Sequence, residues 1–479
     1  MNARRVALGA VWLGLSACAA VGPDYTPVAP AVAAEWGAQQ QATEIAAAPL
    51  ERWWTAFEDP LLDSLVERAC AANPELELAA ARLAEARGAL GVAQSARLPQ
   101  IDLNAAYDRS RRSTENLGGG PFFGRRENDL WDAGFDARWE LDVFGGLRRG
   151  VEAALADAQA LEEAQRAALV SVAAEVARNY VELRVLQQRL ATALLRIDVQ
   201  DETAQIVVLR ADAGVASDLD ATRARALVAS ARSDQPGLEA QVQARIHRLG
   251  VLLGVEPSSL ASELNAPAPI PLAKLSLAVA QPLEVLARRP DVRQAERACA
   301  AASARVGAAV AERYPRISLG AAFGWLANQS EDLLHSSAVA ASLRPGVSLP
   351  LFDGGLRRAQ VDAANAREEQ ALAAHRASVL GALEEVENAL VSLGASSRTR
   401  ASLREALGEQ RQAAQFAREL YVGGVTDFLT VLDAERERFA LEDRFLVSEG
   451  DVALQFVALA KALGGGWSEH GDEDVVAAR

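Results

Sequence analysis

The sequence predicts a mainly α-helical chain with a small β part, written twice, whose strands are too few to close a wall alone. Three observations carry this reading. Four landmarks recur in the same order about 210 residues apart, two stretches of more than sixty residues lack proline, and each half holds two alternating apolar/polar segments. The chain has 479 residues, 50% of them hydrophobic and 24% charged, which is apolar enough for a large core and too apolar for a disordered protein. A net charge of −15 disfavours a nucleic-acid partner. Three cysteines (Cys18, Cys70, Cys299) are too few for a disulfide scaffold or a four-cysteine zinc site. The four histidines form no paired ligand motif, and no HExxH, phosphate loop or GxSxG is present. The composition therefore points away from enzymes, metals and cofactors.

Taken in order, residues 1–17 read as a secretory signal. Arg4 and Arg5 precede an apolar run, Val6 to Leu15, too short to span a bilayer. It ends in Leu15-Ser16-Ala17-Cys18, a lipobox, so Cys18 is the expected lipidation site, with palmitate among the expected acyl chains. Ordinary cleavage after Ala19 is the competing reading, since Ala17-Cys18-Ala19 also fits a small-x-small site. Later apolar stretches are all interrupted by charges, so any crossing of a membrane is made by strands.

The repeat sets the domains. Asn73-Pro74 answers Arg289-Pro290 and Leu98-Pro99 answers Tyr314-Pro315, both with an offset of 216 (290 − 74; 315 − 99). Phe144-Gly145-Gly146-Leu147-Arg148-Arg149 answers Phe352-Asp353-Gly354-Gly355-Leu356-Arg357-Arg358 with one inserted residue, and Gly214 answers Gly424 (424 − 214 = 210). The expected organisation is an anchor segment at 18–60, a first repeat at 61–255, a proline-rich linker at 256–281, a second repeat at 282–467 and an acidic disordered tail at 468–479.

Each half opens with an Ala-rich helical stretch, Leu61–Ala96 and Pro282–Ala311. In the strands that follow, Ile101, Leu103, Ala105 and Tyr107 alternate with polar residues. Trp131, Phe135, Trp139 and Leu141 then oppose Asp132, Asp136, Arg138 and Glu140, a period of two over the length of a tilted membrane strand. In the second half Ile317 to Trp325 alternate, and so do Leu343, Val347, Leu349 and Leu351, weakened by Pro345 and Pro350. A soluble sheet with one wet face has the same alternation, but three aromatics against five charges suit a lipid-facing wall around a wet lumen. Val151–Ala213 and Leu356–Val422 are then expected to be helices of roughly 95 to 100 Å, stable only by packing along their length. Four strands cannot close a membrane barrel, so several chains must share one; three chains would supply twelve strands and leave room for a lumen.

Together these residues resemble the TolC-like outer-membrane efflux channels, in the multidrug lipoprotein (OprM/NodT-like) branch. The resemblance rests on Gly22-Pro23-Asp24-Tyr25, Trp53-Trp54, Asp59-Pro60-Leu61, Asn73-Pro74, the strand–Gly-Gly–helix junctions and Tyr421-Val422-Gly423-Gly424-Val425-Thr426-Asp427-Phe428-Leu429. It implies a homotrimer with a shared 12-strand transmembrane β-barrel and a long α-helical barrel in the periplasm. The implied partners are a periplasmic adaptor (membrane fusion protein), an inner-membrane efflux transporter and outer-membrane lipid. The implied function is passive conduction of drugs or toxic solutes, with export of proteins as the alternative.

The same resemblance makes Gly214 and Gly424 the periplasmic tip turns, and Tyr421, Asp427, Asp433, Ser217 and Asp218 the candidate channel gate. Members with a salt-bridge lock carry Arg and Asp where Thr426 and Thr430 stand here, so that lock is not expected. For Asp433, a solvated position paired with Arg436 or Arg438 stands beside the gate role. For Asp427, a helix-start carboxylate does, and Ser217 and Asp218 in the other tip have the same ambiguity. Trp131, Trp139 and Trp325 fit an aromatic girdle, with buried core as the alternative for the first two. Trp53 and Trp54 read as core anchors. Cys70 and Cys299 read as small buried residues, a bridge between them being open.

Overall fold

The computed structural model describes residues 20–27, 32–37, 47–111, 127–274 and 276–468. Cys18, the glycine-rich stretch at 118–121 and all of the acidic tail except Ser468 lie outside them. The chain forms two compact units, each drawn from both halves of the sequence. One comprises residues 1–29, 82–161 and 294–375; the other comprises 30–81, 162–293 and 376–479.

The helices are α1 (Pro60–Ala72), α2 (Pro74–Ser95), α3 (Gly146–Asp212), α4 (Asp218–Leu252), α5 (Ala261–Leu264), α6 (Pro282–Arg288), α7 (Pro290–Ala311), α8 (Leu356–Val422) and α9 (Phe428–Ala462). The strands are β1 (Ala47–Ala48), β2 (Gln100–Arg111), β3 (Glu127–Leu141), β4 (Ser276–Leu277), β5 (Arg316–Ala327) and β6 (Val339–Ser348). The order is the same in both halves: helix, two strands, long helix, shorter helix. The opening helical stretch is broken in each half at the residue before an internal proline, where helical backbone is disfavoured. The last strand stops at Ser348, so Leu349 and Leu351 fall outside it; Pro350, with no N–H to donate, stands where pairing would continue. No helix among the described residues is long and apolar enough to cross a membrane.

In the first unit β2, β3, β5 and β6 form one antiparallel sheet in that order, which leaves β2 and β6 as its edges. Pro345 is accommodated inside an edge strand, opposite Leu319. At its centre Gly134 faces Gly324. A Cβ on Gly134 would lie 2.8 Å from the Gly324 Cα, and one on Gly324 would lie 2.5 Å from the Ala133 carbonyl oxygen. Only glycine permits so close an approach of the two backbones. The strand ends feed the long helices directly. Asp142 accepts from the Leu147 and Arg148 amides at 3.1 and 2.8 Å at the start of α3, and Asp353 accepts from the Gly355 and Arg357 amides at 3.0 and 3.4 Å at the start of α8. Each long helix of 67 residues thus begins on an aspartate that satisfies its orphan N–H groups and favours the positive end of its dipole.

The second unit holds the main apolar core. Trp53, Leu62, Leu65, Tyr180, Leu183, Ile246 and Leu249 are fully buried, and Phe57 meets Phe456 edge-on at 5.3 Å. Trp54 is buried beside Trp53, so both are core anchors. Asp59 caps α1 and also accepts the Tyr180 hydroxyl at 2.6 Å. The duplication extends to individual hydrogen bonds. Asn73 Nδ2 donates to the Leu252 carbonyl at 2.7 Å, at the end of α4. Its counterpart Arg289 donates to the Ala462 carbonyl at 2.8 Å, at the end of α9, and is held in place by Asp291 and Glu385, both at 2.7 Å. Cys70 and Cys299 are free thiols rather than a bridge, and burial pushes Cys70 up to about 11.

These two contacts generate a first expectation. Asn73→Ala should cost about 1–2 kcal/mol, because its Oδ1 also caps α2 by accepting the Glu75 N–H at 2.8 Å, so that a buried cap and the Leu252 carbonyl's partner are lost together. Arg289→Ala should cost more, about 2–3 kcal/mol, because it leaves the buried Ala462 carbonyl without its charged donor and removes the link to the part-exposed Asp291 and Glu385. Thermal unfolding of the purified protein checks the ranking; equal effects would show that the ion cluster adds nothing.

Candidate functional site

The central rows of the sheet sort their side chains by face, although Leu326 lies on the acidic side opposite Asp132 and Arg109 faces Asp129 at one end of the apolar side. Reading across the register, Leu103 faces Phe135, Phe135 faces Phe323, and Phe323 faces Ala341. Ile101, Ala137, Ala321 and Leu343 form the next row, and Trp139, Leu319 and Pro345 another. The result is one continuous apolar face. It is bare: Ile101, Leu103, Leu343 and Val347 are 67%, 71%, 69% and 72% exposed. An exposed apolar surface of this extent needs a non-aqueous neighbour. The opposite face carries Asp102 directly across from Asp136, with Asp132, Arg138 and Glu140 on the same side of β3. Asn104 donates to Asp136 at 2.8 Å, and Arg138 lies 3.6 Å from Asp102. One face is therefore hydrocarbon-like and the other hydrated and acidic.

The predicted girdle residues lie on the apolar face near its two ends. Trp131 stacks on Tyr107 at 4.4 Å, and Trp325 sits one row away, against Phe323 at 6.0 Å. Trp139 is near the other end, its indole N–H donating to the Arg97 carbonyl at 2.9 Å. Eight residues separate Trp131 from Trp139, about 27 Å along the strand and about 20 Å of height at a 40° tilt.

In the second unit, α3 and α8 each end in a turn followed by a shorter helix. Gly214 and Gly424 have φ of +71° and +73°, the left-handed region in which glycine carries no Cβ penalty. The turns share their hydrogen bonds. The Val215 N–H reaches the Arg210 carbonyl at 2.8 Å, and the Val425 N–H reaches the Leu420 carbonyl at 2.9 Å. Three residues after each glycine comes an N-cap, Ser217 for α4 and Asp427 for α9. Ser217 Oγ accepts from the Asp220 N–H and donates to the Asp220 carboxylate at 2.7 Å. Asp427 accepts the Thr430 hydroxyl at 2.7 Å and the Thr430 N–H at 3.1 Å, and these hydrogen bonds hold its pKa below the usual carboxylate range. Asp218 lies exposed in the first turn of α4.

Tyr421 bridges the two turns. Its ring lies 5.5 Å from Phe428, and the Arg210 guanidinium sits over it at 4.7 Å. The alternative reading of Asp433, a pairing with Arg436 or Arg438, is not found among the described residues. Arg438 instead takes Glu435 at 2.7 Å and Glu442 at 3.4 Å, acids one turn away along its own helix. Asp433 is exposed and has no ion-pair partner among the described residues. Arg210 was missed as a site residue: 211 residues separate it from Tyr421 (421 − 210), and only the repeat, which makes both helix ends equivalent, hinted that they meet.

The comparisons match this geometry. A family model described as outer membrane efflux protein matches residues 65–255 and again 282–465. The chain belongs to the outer membrane efflux protein family. It is 31% identical over 463 residues to the solvent efflux pump outer membrane protein SrpC of Pseudomonas putida, covering 95% of this chain and 97% of that protein. It is 31% identical to the outer membrane protein OprJ of Pseudomonas aeruginosa, covering 95% of each. Among solved structures, the outer-membrane channel OprN superposes with a TM-score of 0.87 at 36% identity, over 93% of this chain and 99% of that one. The open state of the Neisseria gonorrhoeae MtrE channel gives 0.82 at 27%, over 94% and 99%. The chain is an outer-membrane efflux channel with a helical periplasmic extension.

The two aspartates of the second turn can be told apart. Asp427→Ala should lower hydrogen-exchange protection at the amides of residues 428–431 by about two- to tenfold, whereas Asp433→Ala should leave it unchanged. Because the Asp427 pKa is depressed on folding, its capping contribution is present above the unfolded carboxylate value and is lost as pH falls through the lowered one. Equal effects of the two substitutions would contradict the assignment.

Proposed function

We propose that this chain is the exit duct of a tripartite pump, passively conducting small toxic organic solutes that an inner-membrane transporter delivers through a periplasmic adaptor. The observation that carries it is the two-faced sheet with two unpaired edges. Inside a bilayer the edges of β2 and β6 must be paired, and closure with further copies pairs them. Three copies of four strands make a twelve-strand barrel wide enough for a lumen, with the apolar face toward lipid and the acidic face toward water. Trp131 and Trp325 at one end and Trp139 at the other then fall at the two membrane interfaces as a girdle. Cargo of this class is supported by the names of relatives, which include solvent and toluene efflux pump proteins.

The turns at Gly214 and Gly424 are the periplasmic ends that meet the adaptor. Asp433, exposed and unpaired, is the stronger gate candidate. Near a threefold axis its three copies would repel one another and attract cations. Asp427 and Ser217 act on the gate through the helix starts they cap, Asp218 adds negative charge at the first turn, and Tyr421 holds the two turns together through Arg210 and Phe428.

Cys18 carries the lipid anchor. The residues just after it are held at the foot of the sheet. The Val21 N–H donates to the Phe144 carbonyl at 3.0 Å, and Arg149 donates to Asp24 at 2.7 Å. An acyl chain on Cys18 would thus enter the leaflet next to the barrel.

Planar bilayers test the reading. The purified protein should form pores, and the acidic lumen face should give a reversal potential of cation-selective sign in a salt gradient; a protein without conductance would refute the channel. Asp433→Ala combined with Asp427→Ala should raise resting conductance severalfold, most of it from Asp433. An unchanged conductance would remove both from the gate.

A further inference from the structure

Above the two turns, the packing of α3, α4 and α9 leaves a cavity of about 340 Å³. All of its walls belong to the second unit. Next to the turns, Ala204, Val207, Val228 and Phe428 pack into a closed apolar cluster. Farther along, Val199, Leu227, Leu432 and Phe439 line the cavity. A volume of this size holds a small organic molecule with an apolar body.

Most of the polar lining is already engaged. The Thr203 hydroxyl donates to the Val199 carbonyl at 2.7 Å, and Glu435 is held by Arg418 at 2.8 Å and Arg438 at 2.7 Å. Two lining atoms are left over. Arg196 donates from Nη2 to Asp234 at 3.0 Å, but its Nε–H is buried with no acceptor among the described residues. Gln200 Oε1 is buried with no donor. The two residues stand four apart on α3, side by side on one face of the helix. A buried donor or acceptor without a partner is costly, so the pair calls for an occupant that satisfies both. The duplication gives an independent comparison. In the second half, Gln410 of α8 donates to the Ala434 carbonyl of α9 at 3.0 Å. The equivalent positions are Gln200 and Ala224 (410 − 210 = 200; 434 − 210 = 224), and both line the cavity without that bond. Arg196 has no counterpart, since Ala406 stands in its place (406 − 196 = 210). One half closes its glutamine onto the returning helix; the other turns it, beside an added arginine, to a cavity.

We propose that this cavity binds a phenol, its aromatic body among Leu227, Phe428 and Phe439 and its hydroxyl accepting from Arg196 Nε and donating to Gln200 Oε1. A hydroxyl is a single group that does both. A carboxylate would leave Gln200 Oε1 without a donor. An ammonium would leave Arg196 Nε without an acceptor and would meet two guanidinium groups, since Arg436 also lines the cavity and has no ion-pair partner among the described residues. All the walls come from one chain, so the site depends neither on the oligomer nor on the duct. Its α9 wall, from Phe428 to Ala440, also carries Asp433, and an occupant fixes that stretch of α9 against α3 and α4.

The test uses the full-length protein in lipid nanodiscs, with 1-naphthol as the probe and naphthalene as the same body without the hydroxyl. Nanodiscs without protein subtract uptake by lipid. 1-Naphthol at about ten times its Kd should slow hydrogen exchange at residues 428–440 roughly tenfold. At equal free concentration naphthalene should bind about tenfold more weakly, because it leaves both buried atoms unpaired. Gln200→Leu, apolar and similar in size, should unfold at the parent's temperature or above it, and should lower the affinity for 1-naphthol about fivefold without weakening naphthalene. Leu227→Trp, shown to be folded by the same melt, should abolish binding of both probes by filling the cavity. Equal binding of the two probes to the parent protein would overturn the proposal, because the buried atoms would then read no hydroxyl. Slowed exchange confined to the strands, or binding that Leu227→Trp leaves intact, would also overturn it by placing the probe outside the cavity.

Discussion

Inside hydrocarbon, a backbone N–H or C=O without a partner costs several kcal/mol, and a four-stranded sheet has two rows of them. This constraint governs the rest of the molecule. The sheet of β2, β3, β5 and β6 has a face built for lipid and a face built for water, yet its outer strands end in open edges. It is a segment of wall. The long helices inherit the same property, because α3 and α8 continue directly from β3 and β6 through aspartate-capped junctions.

The duplication reaches down to single contacts. One chain joins a first-half element to a second-half element where Phe144 stacks on Tyr314. Hydrogen bonds have been kept through the duplication even where the residue has changed. Asn73 and Arg289 both close the end of a returning helix, one as a neutral amide and one as a guanidinium with its own acids. The contact is the same in both halves while the side chain that makes it differs.

Much of the architecture was legible because it is local. A period of two in Trp131 to Leu141 and the absence of proline in Leu356–Val422 each specify an element from neighbouring residues alone. The Gly-Val turns and the residues three positions later specified helix ends and caps. What was not legible depends on contacts across hundreds of residues. Tyr421 under Arg210 is one case. Another is the mixing of both halves in each compact unit, which no linear domain boundary expresses. Asp427 and Asp433 both stand as gate candidates in the sequence; the hydrogen bonds from Thr430 and the pairing of Arg438 with Glu435 and Glu442 separate a capping acid from a free one.

The central claim is that both edges of the sheet are paired in the working protein. Hydrogen exchange in lipid nanodiscs measures it residue by residue, comparing the edge strands Gln100–Arg111 and Val339–Ser348 with the internal strand Arg316–Ala327. Closure by neighbouring copies is expected to protect the edge amides as strongly as the internal ones. Fast exchange at every second amide along β2 and β6 would mean that the edges stay open, and would contradict the account.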